Sequence, residues 1–291
     1  MKNKGKTMRL MFKKLVHNRT EILKMPVVGD GLSAKISAKA GFKAINVTGS
    51  ATNFAYGKPD MGFADFYILF DQARKIIENV SIPVLCDVGT GHGAKENIAR
   101  TARSYEAINA AGIYLDDGVW PKSCGQMSVT QIASVSEMDK RIHDAVEARK
   151  DPDFIIMAHS SSRAVCDINE TIAKLRSYCI AGADMLYVDS VSSEKELLQI
   201  TKEFSKIPLL INSANLAKTF SWNDLLKMGY SMATFKEEAI YARVSGEQEV
   251  LKQEESNTAT VSLKKKIISA PAFAELVDTE QMNRLEKELI L

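Results

Sequence analysis

Two adjacent carboxylates, Asp116 and Asp117, close an apolar run in YLDDGVWPKSCGQM, and the loop behind them carries Lys122, Cys124 and Gly125. A thiol near a lysine can exchange protons once its thiolate is favoured. Carboxylates at a strand end are hard oxygen ligands suited to Mg²⁺ or Mn²⁺. The stretch is therefore either part of an active site or a turn with incidental residues. Residues of the same kind follow other apolar runs: Asp30; Thr48, Gly49 and Ser50; Asp87; His159 and Ser160; Asp189 and Ser190; Asn212 and Ser213; Lys236. Helix capping accounts for such residues one at a time, but a polar group after nearly every run points to one shared mouth. Asp87, Asp116 and the loop residue Asp60 are the candidate metal ligands there. A divalent cation at that place would polarise a carbonyl or hold an enolate as charge develops.

Those residues need elements to position them. Short, β-branched and almost wholly apolar runs occur at 25–30, 43–49, 83–89, 112–118, 153–159, 184–190, 207–212 and 230–235. Such runs suit parallel strands buried on both faces. Between them lie amphipathic segments such as ENIARTARSYEAINAAG and NETIAKLRSYCIAGA, which end in the Ala-Gly or Gly that stops a helix. The alternation predicts an α/β fold, a closed (β/α)8 TIM barrel whose active site lies at the C-terminal ends of the strands. A doubly wound open sheet is the alternative, and no G-x-G-x-x-G follows the first run to support it. The glycines of DVGTGHG, with His92 among them, would let backbone approach a small ligand, although neither phosphate-binding spacing is met.

The barrel is expected over residues 1–243, opened by an amphipathic N-terminal helix that carries Met8, Leu10, Met11, Phe12, Leu15 and Val16 and caps the core. After about residue 244 the composition turns to the solvated GEQEVLKQEESNTATVSLKKK. Helical periodicity then returns through Phe273, Leu276, Val277, Met282, Leu285 and Leu289, so 244–291 forms a C-terminal extension. That helix needs an apolar surface to cover, on its own barrel or on a neighbouring subunit.

Composition narrows the function classes. At 291 residues with 45% hydrophobic and 25% charged residues, the chain can bury a large core without disulfides. A net charge of +2 with no basic stripe gives no footprint for nucleic acid. No apolar run of about 18 residues or more is present, which argues against a membrane span, and the basic N-terminus lacks the apolar stretch of a signal peptide. The four cysteines, Cys86, Cys124, Cys166 and Cys179, show no metal-ligand spacing and are expected to be reduced thiols of a cytoplasmic protein.

With these residues on the page, the sequence from Val28 to Arg243 resembles the isocitrate lyase and phosphoenolpyruvate mutase superfamily, within it the 2-methylisocitrate lyase-like branch. PKSCGQM is similar to the lyases' Lys-Arg-Cys-Gly-His loop at Lys122, Cys124 and Gly125. YGKPDMG is similar to the segment with an acid after proline, here Asp60. Thr48-Gly49-Ser50 falls where the family places a Ser-Gly pair that contacts a substrate carboxylate or carbonyl. The resemblance implies a (β/α)8 barrel, usually tetrameric with a C-terminal helix swapped between subunits. It also implies Mg²⁺, an enolate-type intermediate in a small carboxylic acid, and a loop cysteine that serves as acid/base in carbon–carbon bond chemistry.

The departures gather in the same mouth. The family motif Asp-Ala-Asp-x-Gly-x-Gly stands here as Asp87-Val88-Gly89-Thr90-Gly91-His92-Gly93, which keeps the first acid and loses the second. Two family glutamates are Asp116 and Asp189, the loop histidine is Gln126, and the arginine that grips the substrate is His159. Arginine is a fixed bidentate fork, whereas histidine offers a single donor whose charge depends on pH. Three functions remain open. The first is a carbon–carbon lyase with altered substrate, gripped by Thr48, Gly49, Ser50, His92, His159, Asp189 and Asn212, with Lys58 or Arg163 as further cations. The second is hydrolysis, decarboxylation or condensation on the same scaffold, with His92 or His159 as acid/base. The third is a non-catalytic metabolite-binding homologue. For either histidine the bland alternative is a hydrogen-bonded structural residue.

Overall fold

The computed structural model describes residues 2–119, 131–191, 193–213, 216, 219–235, 237–255 and 267–289. Eight parallel strands form a closed barrel: β1 (Leu23–Val28), β2 (Ile45–Val47), β3 (Val84–Asp87), β4 (Gly112–Asp116), β5 (Ile155–Ser160), β6 (Met185–Val188), β7 (Leu209–Asn212) and β8 (Met232–Phe235). Each pairs with the next, and β8 closes on β1 in the register Leu23↔Met232 to Pro26↔Phe235. The helices are α1 (Lys2–Val16), α2 (Gly31–Lys39), α3 (Gly49–Ala55), α4 (Phe66–Glu78), α5 (Lys95–Ala107), α6 (Val135–Ala148), α7 (Ile168–Ile180), α8 (Glu194–Glu203), α9 (Trp222–Met228), α10 (Glu238–Glu255), α11 (Ala270–Leu276) and α12 (Thr279–Leu289). The expected TIM barrel is therefore the fold.

Strand alternation divides the interior in two. Leu85, Tyr114, Ile155, Met157, Met185, Tyr187 and Leu210 form one buried cluster. Their sequence neighbours Cys86, Ile113, Leu115, Ile156, Ala158, Leu186 and Ile211 belong to another, packed with helix residues such as Tyr105, Ile142 and Leu175. The first set lines the barrel and the second lies between barrel and helices, because successive side chains of a strand face opposite ways. Continuing the period of two to the strand ends puts Asp87, Asp116, His159, Asp189 and Asn212 on the inward face, and Asp117 and Ser160 on the outward one.

Helix α1 stops the other end of the barrel: Phe12 and Val16 are fully buried in the inner cluster. Arg9 and Lys13 tie the helix to Asp151 and Asp153, each at 2.7 Å. Two expectations need correction. The first strand begins and ends two residues early, because Asp30 accepts from Ser33 N at 2.8 Å as the N-cap of α2 instead of ending the strand. The boundary expected at residue 243 falls inside α10, which runs on to Glu255 despite the polar composition. An exposed helix needs no apolar stripe of its own when its residues are helix formers. Beyond it, α11 docks on α2 through Lys39–Glu275 at 2.7 Å, and Asp278, between α11 and α12, pairs with Lys35.

Candidate active site

At the C-terminal mouth, His159 is the centre of a constrained group. Its Nδ1 lies 3.3 Å from Asp116 Oδ2, on the strand paired beside it in the register Asp116↔His159. On the other side, His159↔Tyr187 register stacks the phenol flat on the imidazole, 4.3 Å between centroids and 11° between planes. Tyr114 meets the ring edge-on at 6.0 Å. Nε2 is buried and has no hydrogen-bond partner among the described residues. Burial alone would lower the pKa of this ring. The charge and hydrogen bond of Asp116, with Asp189 and Asp87 behind it, outweigh burial and lift it to about 9. The residue standing in place of arginine is thus a cation at neutral pH. Beside it the Tyr187 hydroxyl hydrogen-bonds Asn212, and burial with Asp189 nearby keeps the phenol protonated.

The acids are held by backbone amides. Asp87 Oδ1 accepts from Gly89 N at 2.8 Å and Oδ2 from Gly49 N at 3.1 Å. Asp116 Oδ1 accepts from Gly118 N at 2.6 Å, and Asp189 Oδ1 from Ser190 N at 2.8 Å. Thr48 caps α3, its Oγ1 accepting from Ala51 N at 3.0 Å. Ser50 Oγ lies 2.9 Å from Thr48 Oγ1 and donates to Glu237 Oε1 at 2.6 Å.

Behind this rim, the outward residues form a second polar cluster. Asp117 is fully buried and accepts from Ser160 Oγ at 2.5 Å, Tyr178 OH at 3.1 Å and Ser161 N at 2.8 Å. Burial raises its pKa against the Ser160 hydroxyl, which favours the charged form. Arg141, from α6, donates through Nη1 to the carbonyls of Asp116 and Gly118, both at 3.0 Å. Gly118 pairs with Ile132, and Ala133 N donates to Asp117 O at 2.7 Å. The β4 end, and with it Asp116, is fixed from three directions.

The other expected residues have neighbours of their own. His92 adopts a left-handed φ of 64° and turns its ring edge-on to Phe66 of α4 at 5.5 Å, where burial lowers its pKa. Its neighbour Gly91 is a packing glycine, since a Cβ there would come within 2.8 Å of Ile98. Asp60 accepts from Asn53 Nδ2 at 3.2 Å. Arg163 is engaged by Glu196 at 2.9 Å, and Lys58 lies over Phe63. Lys122, Cys124, Gly125, Gln126 and Lys236 lie outside the described residues. Tyr187, Arg141 and Glu237 went unnoticed in the sequence. The first two look like ordinary barrel and helix residues, and Glu237 shows only as the first acid after the last strand.

No three His, Cys, Asp or Glu side chains among the described residues are gathered around one metal position. Mg²⁺ does not require such a cage, because it takes one or two carboxylates and keeps several waters. Asp87 suits that role: its oxygens are pre-oriented by two amides, and each retains a further lone pair. Asp116, by contrast, already faces His159.

Residues 12–253 match the phosphoenolpyruvate phosphomutase family. A 2,3-dimethylmalate lyase of Eubacterium barkeri is 29% identical over 273 residues, 90% of this chain and 91% of that protein. A 2-methylisocitrate lyase of Bacillus subtilis is 30% identical over 226 residues, 77% of this chain and 74% of its own. Among solved structures, a phosphonopyruvate hydrolase in complex with oxalate and Mg²⁺ superposes with a TM-score of 0.88 over 98% of this chain and 99% of that one, at 22% identity. That last likeness is one of fold. The family match and the two relatives place the chain's descent: it belongs to the phosphoenolpyruvate phosphomutase family, within the isocitrate lyase and phosphoenolpyruvate mutase superfamily of enzymes.

Proposed function

We propose that the chain is a lyase that makes or breaks a carbon–carbon bond in a small 2-hydroxy or 2-oxo carboxylic acid. One observation carries this: His159, cationic and clamped by Asp116 and Tyr187, keeps a buried Nε2 without a partner among the described residues. Leaving such a group unsatisfied costs roughly 1–3 kcal/mol, and a substrate carboxylate supplies the acceptor. The two relatives named as lyases support the reaction class. Asp87 would hold Mg²⁺ or Mn²⁺, with Asp116 and Asp60 acting through water. The bound cation would offset charge building on the acid's oxygen.

The protein's own groups do the rest. His159 orients the carboxylate, Tyr187 prevents the imidazole from swinging away, and Asn212 fixes Tyr187. Cys124 exchanges the proton at the carbon where the bond is made or broken, with Lys122 favouring its thiolate. We place the enzyme in the cytoplasm as a homotetramer, in which the exposed Met282 and Leu285 of α12 pack on a neighbouring subunit. Among the described residues no helix is long and apolar enough to cross a membrane.

Isothermal titration of oxalate, with Mg²⁺ or Mn²⁺, into wild type and Asp87→Ala tests the proposal. Oxalate resembles a planar enolate, and its binding should require metal and disappear in Asp87→Ala. Turnover of 2-hydroxy dicarboxylates should then be lost with a chelator and in Cys124→Ser. Turnover that survives Cys124→Ser but not His159→Ala would replace the lyase with hydrolytic chemistry.

A further inference from the structure

Asn53, on α3, is buried and gathers the loop that carries Asp60. Its carbonyl oxygen accepts from Lys58 N at 2.9 Å and Tyr56 N at 3.0 Å. Its side-chain Oδ1 accepts from Ala64 N at 3.1 Å, and Nδ2 donates to Asp60 Oδ1 at 3.2 Å. These two partners fix the orientation of the amide, because Ala64 N can only donate and a carboxylate can only accept. The loop is thus tied to the helix on both sides of Asp60. Asn53 is also a neutral donor, so it orients the carboxylate without cancelling its charge. The same helix reaches Asp87. Gly49 N, in its first turn, donates to Asp87 Oδ2 at 3.1 Å. A side chain at Gly49 would point at that carboxylate, its Cβ in ordinary contact 3.4 Å from Oδ2. Asn53 follows four residues later, so its side chain leaves the same face of α3, roughly 6 Å further along the axis. Asp60 is thereby brought to the side of α3 that Asp87 occupies. The helix itself is closely seated on the end of β1. A Cβ at Gly29 would come within 2.3 Å of Ala51 O, and Gln72 Nε2 holds the Gly29 carbonyl at 2.6 Å.

On the reading that Asp87 holds a divalent cation and Asp60 reaches it through water, we infer that Asn53 is a positioning residue for that site. Helix α3 acts as a spacer between two carboxylates, with Asp87 on the amide of Gly49 and Asp60 on the side-chain amide of Asn53. Asp60 lies on no strand or helix. Asn53 therefore supplies the fixed reference that strand register supplies to Asp116. The task suits an amide of this length. An aspartate would set one carboxylate against another, a leucine would leave Ala64 N unpaired, and a serine hydroxyl is too short to span both partners.

A double-mutant cycle of Asn53→Ala and Asp60→Ala provides the test, with Mn²⁺ alone as the probe and the loss of its free-ion EPR signal as the readout. Wild type should bind Mn²⁺, and Asp87→Ala should not. Asp60→Ala should weaken binding by about tenfold, the size of one hydrogen bond to a charged group. Asn53→Ala should lose most of that factor by itself, yet add no further loss in the Asp60→Ala background. A residue that merely holds the fold would cost the same factor in both backgrounds. Thermal melts identify any variant that fails to fold, and Asn53→Ser carries the cycle if the alanine does not. Full Mn²⁺ affinity in folded Asn53→Ala, or an equal loss in both backgrounds, overturns the role of Asn53 and leaves the Asp87 site standing. Wild-type affinity in Asp60→Ala does the same. Folded wild type that binds no Mn²⁺, or Asp87→Ala that binds it equally well, overturns the metal site itself, and this inference with it.

Discussion

His92 and His159 both lie at the ends of barrel strands on the same rim, and each keeps a buried Nε2 without a partner among the described residues, yet their surroundings differ. His159 sits on an inward position of β5, where neighbouring strands bring Asp116 to its nitrogen and Tyr187 to its face. His92 lies in the loop after β3, where a left-handed φ sends the ring outward to Phe66 and burial lowers its pKa. Burial is the leading influence on both rings. Only where strand register supplies acids does it lose. The two rings differ because Asp116 both charges and hydrogen-bonds His159, whereas at His92 the charges of Asp87 and Asp65 do not overcome burial.

The comparison can be broken most sharply at His159. Replacing it with Ala should weaken oxalate binding by roughly 100-fold, the cost of truncating one member of a buried charged contact. His159→Gln should recover part of the loss, because a neutral donor remains. Calorimetry showing Ala within a few fold of wild type would remove His159 from the site. Next comes the support of its partner. Arg141→Met leaves the carbonyls of Asp116 and Gly118 without their donor and should cost about 2–3 kcal/mol in urea unfolding, with Arg141→Lys intermediate. An unchanged midpoint would show that β4 needs no clamp. On the outward face, Tyr178→Phe removes one of three donors to Asp117 and should cost about 1 kcal/mol without altering oxalate affinity. A change in affinity instead would join the two polar clusters functionally.

The smallest effect is the pH dependence of His92. Its folded pKa lies below the ordinary value of 6.5, so the unfolded chain takes up the proton first. The stability this neutral ring contributes is complete above 6.5 and is lost as pH falls through the folded pKa. His92→Asn, a residue that tolerates positive φ, should flatten that acid slope by up to about 1 kcal/mol. Chemical denaturation between pH 7.5 and 5 would read it, and equal slopes in the two proteins would mean that His92 is not held neutral.

Periodicity made much of this legible in advance. The eight apolar runs are the eight strands, and alternation within them places Asp87, Asp116, His159, Asp189 and Asn212 on the inward face. Capping chemistry hid the end of β1, since Asp30 reads equally well as a strand end and as an N-cap. The flat stack of Tyr187 on His159 depends on the stagger between two strands, which no single strand encodes. Arg141 reaches the site from a helix, and Glu237 acquires meaning only through Ser50. The orientation of His92 was not legible, because a left-handed backbone dihedral sets where its ring lies.

The hydrogen bond from Ser50 to Glu237 joins residues 187 positions apart in the chain. Ser50 emerges early and Glu237 follows the last strand, so the contact exists only once β8 has zipped onto β1. Distant pairings of this kind form late, after the loop entropy of nearly the whole chain has been spent. A barrel without β8 and the turn after it lacks this tie between the two ends of the chain.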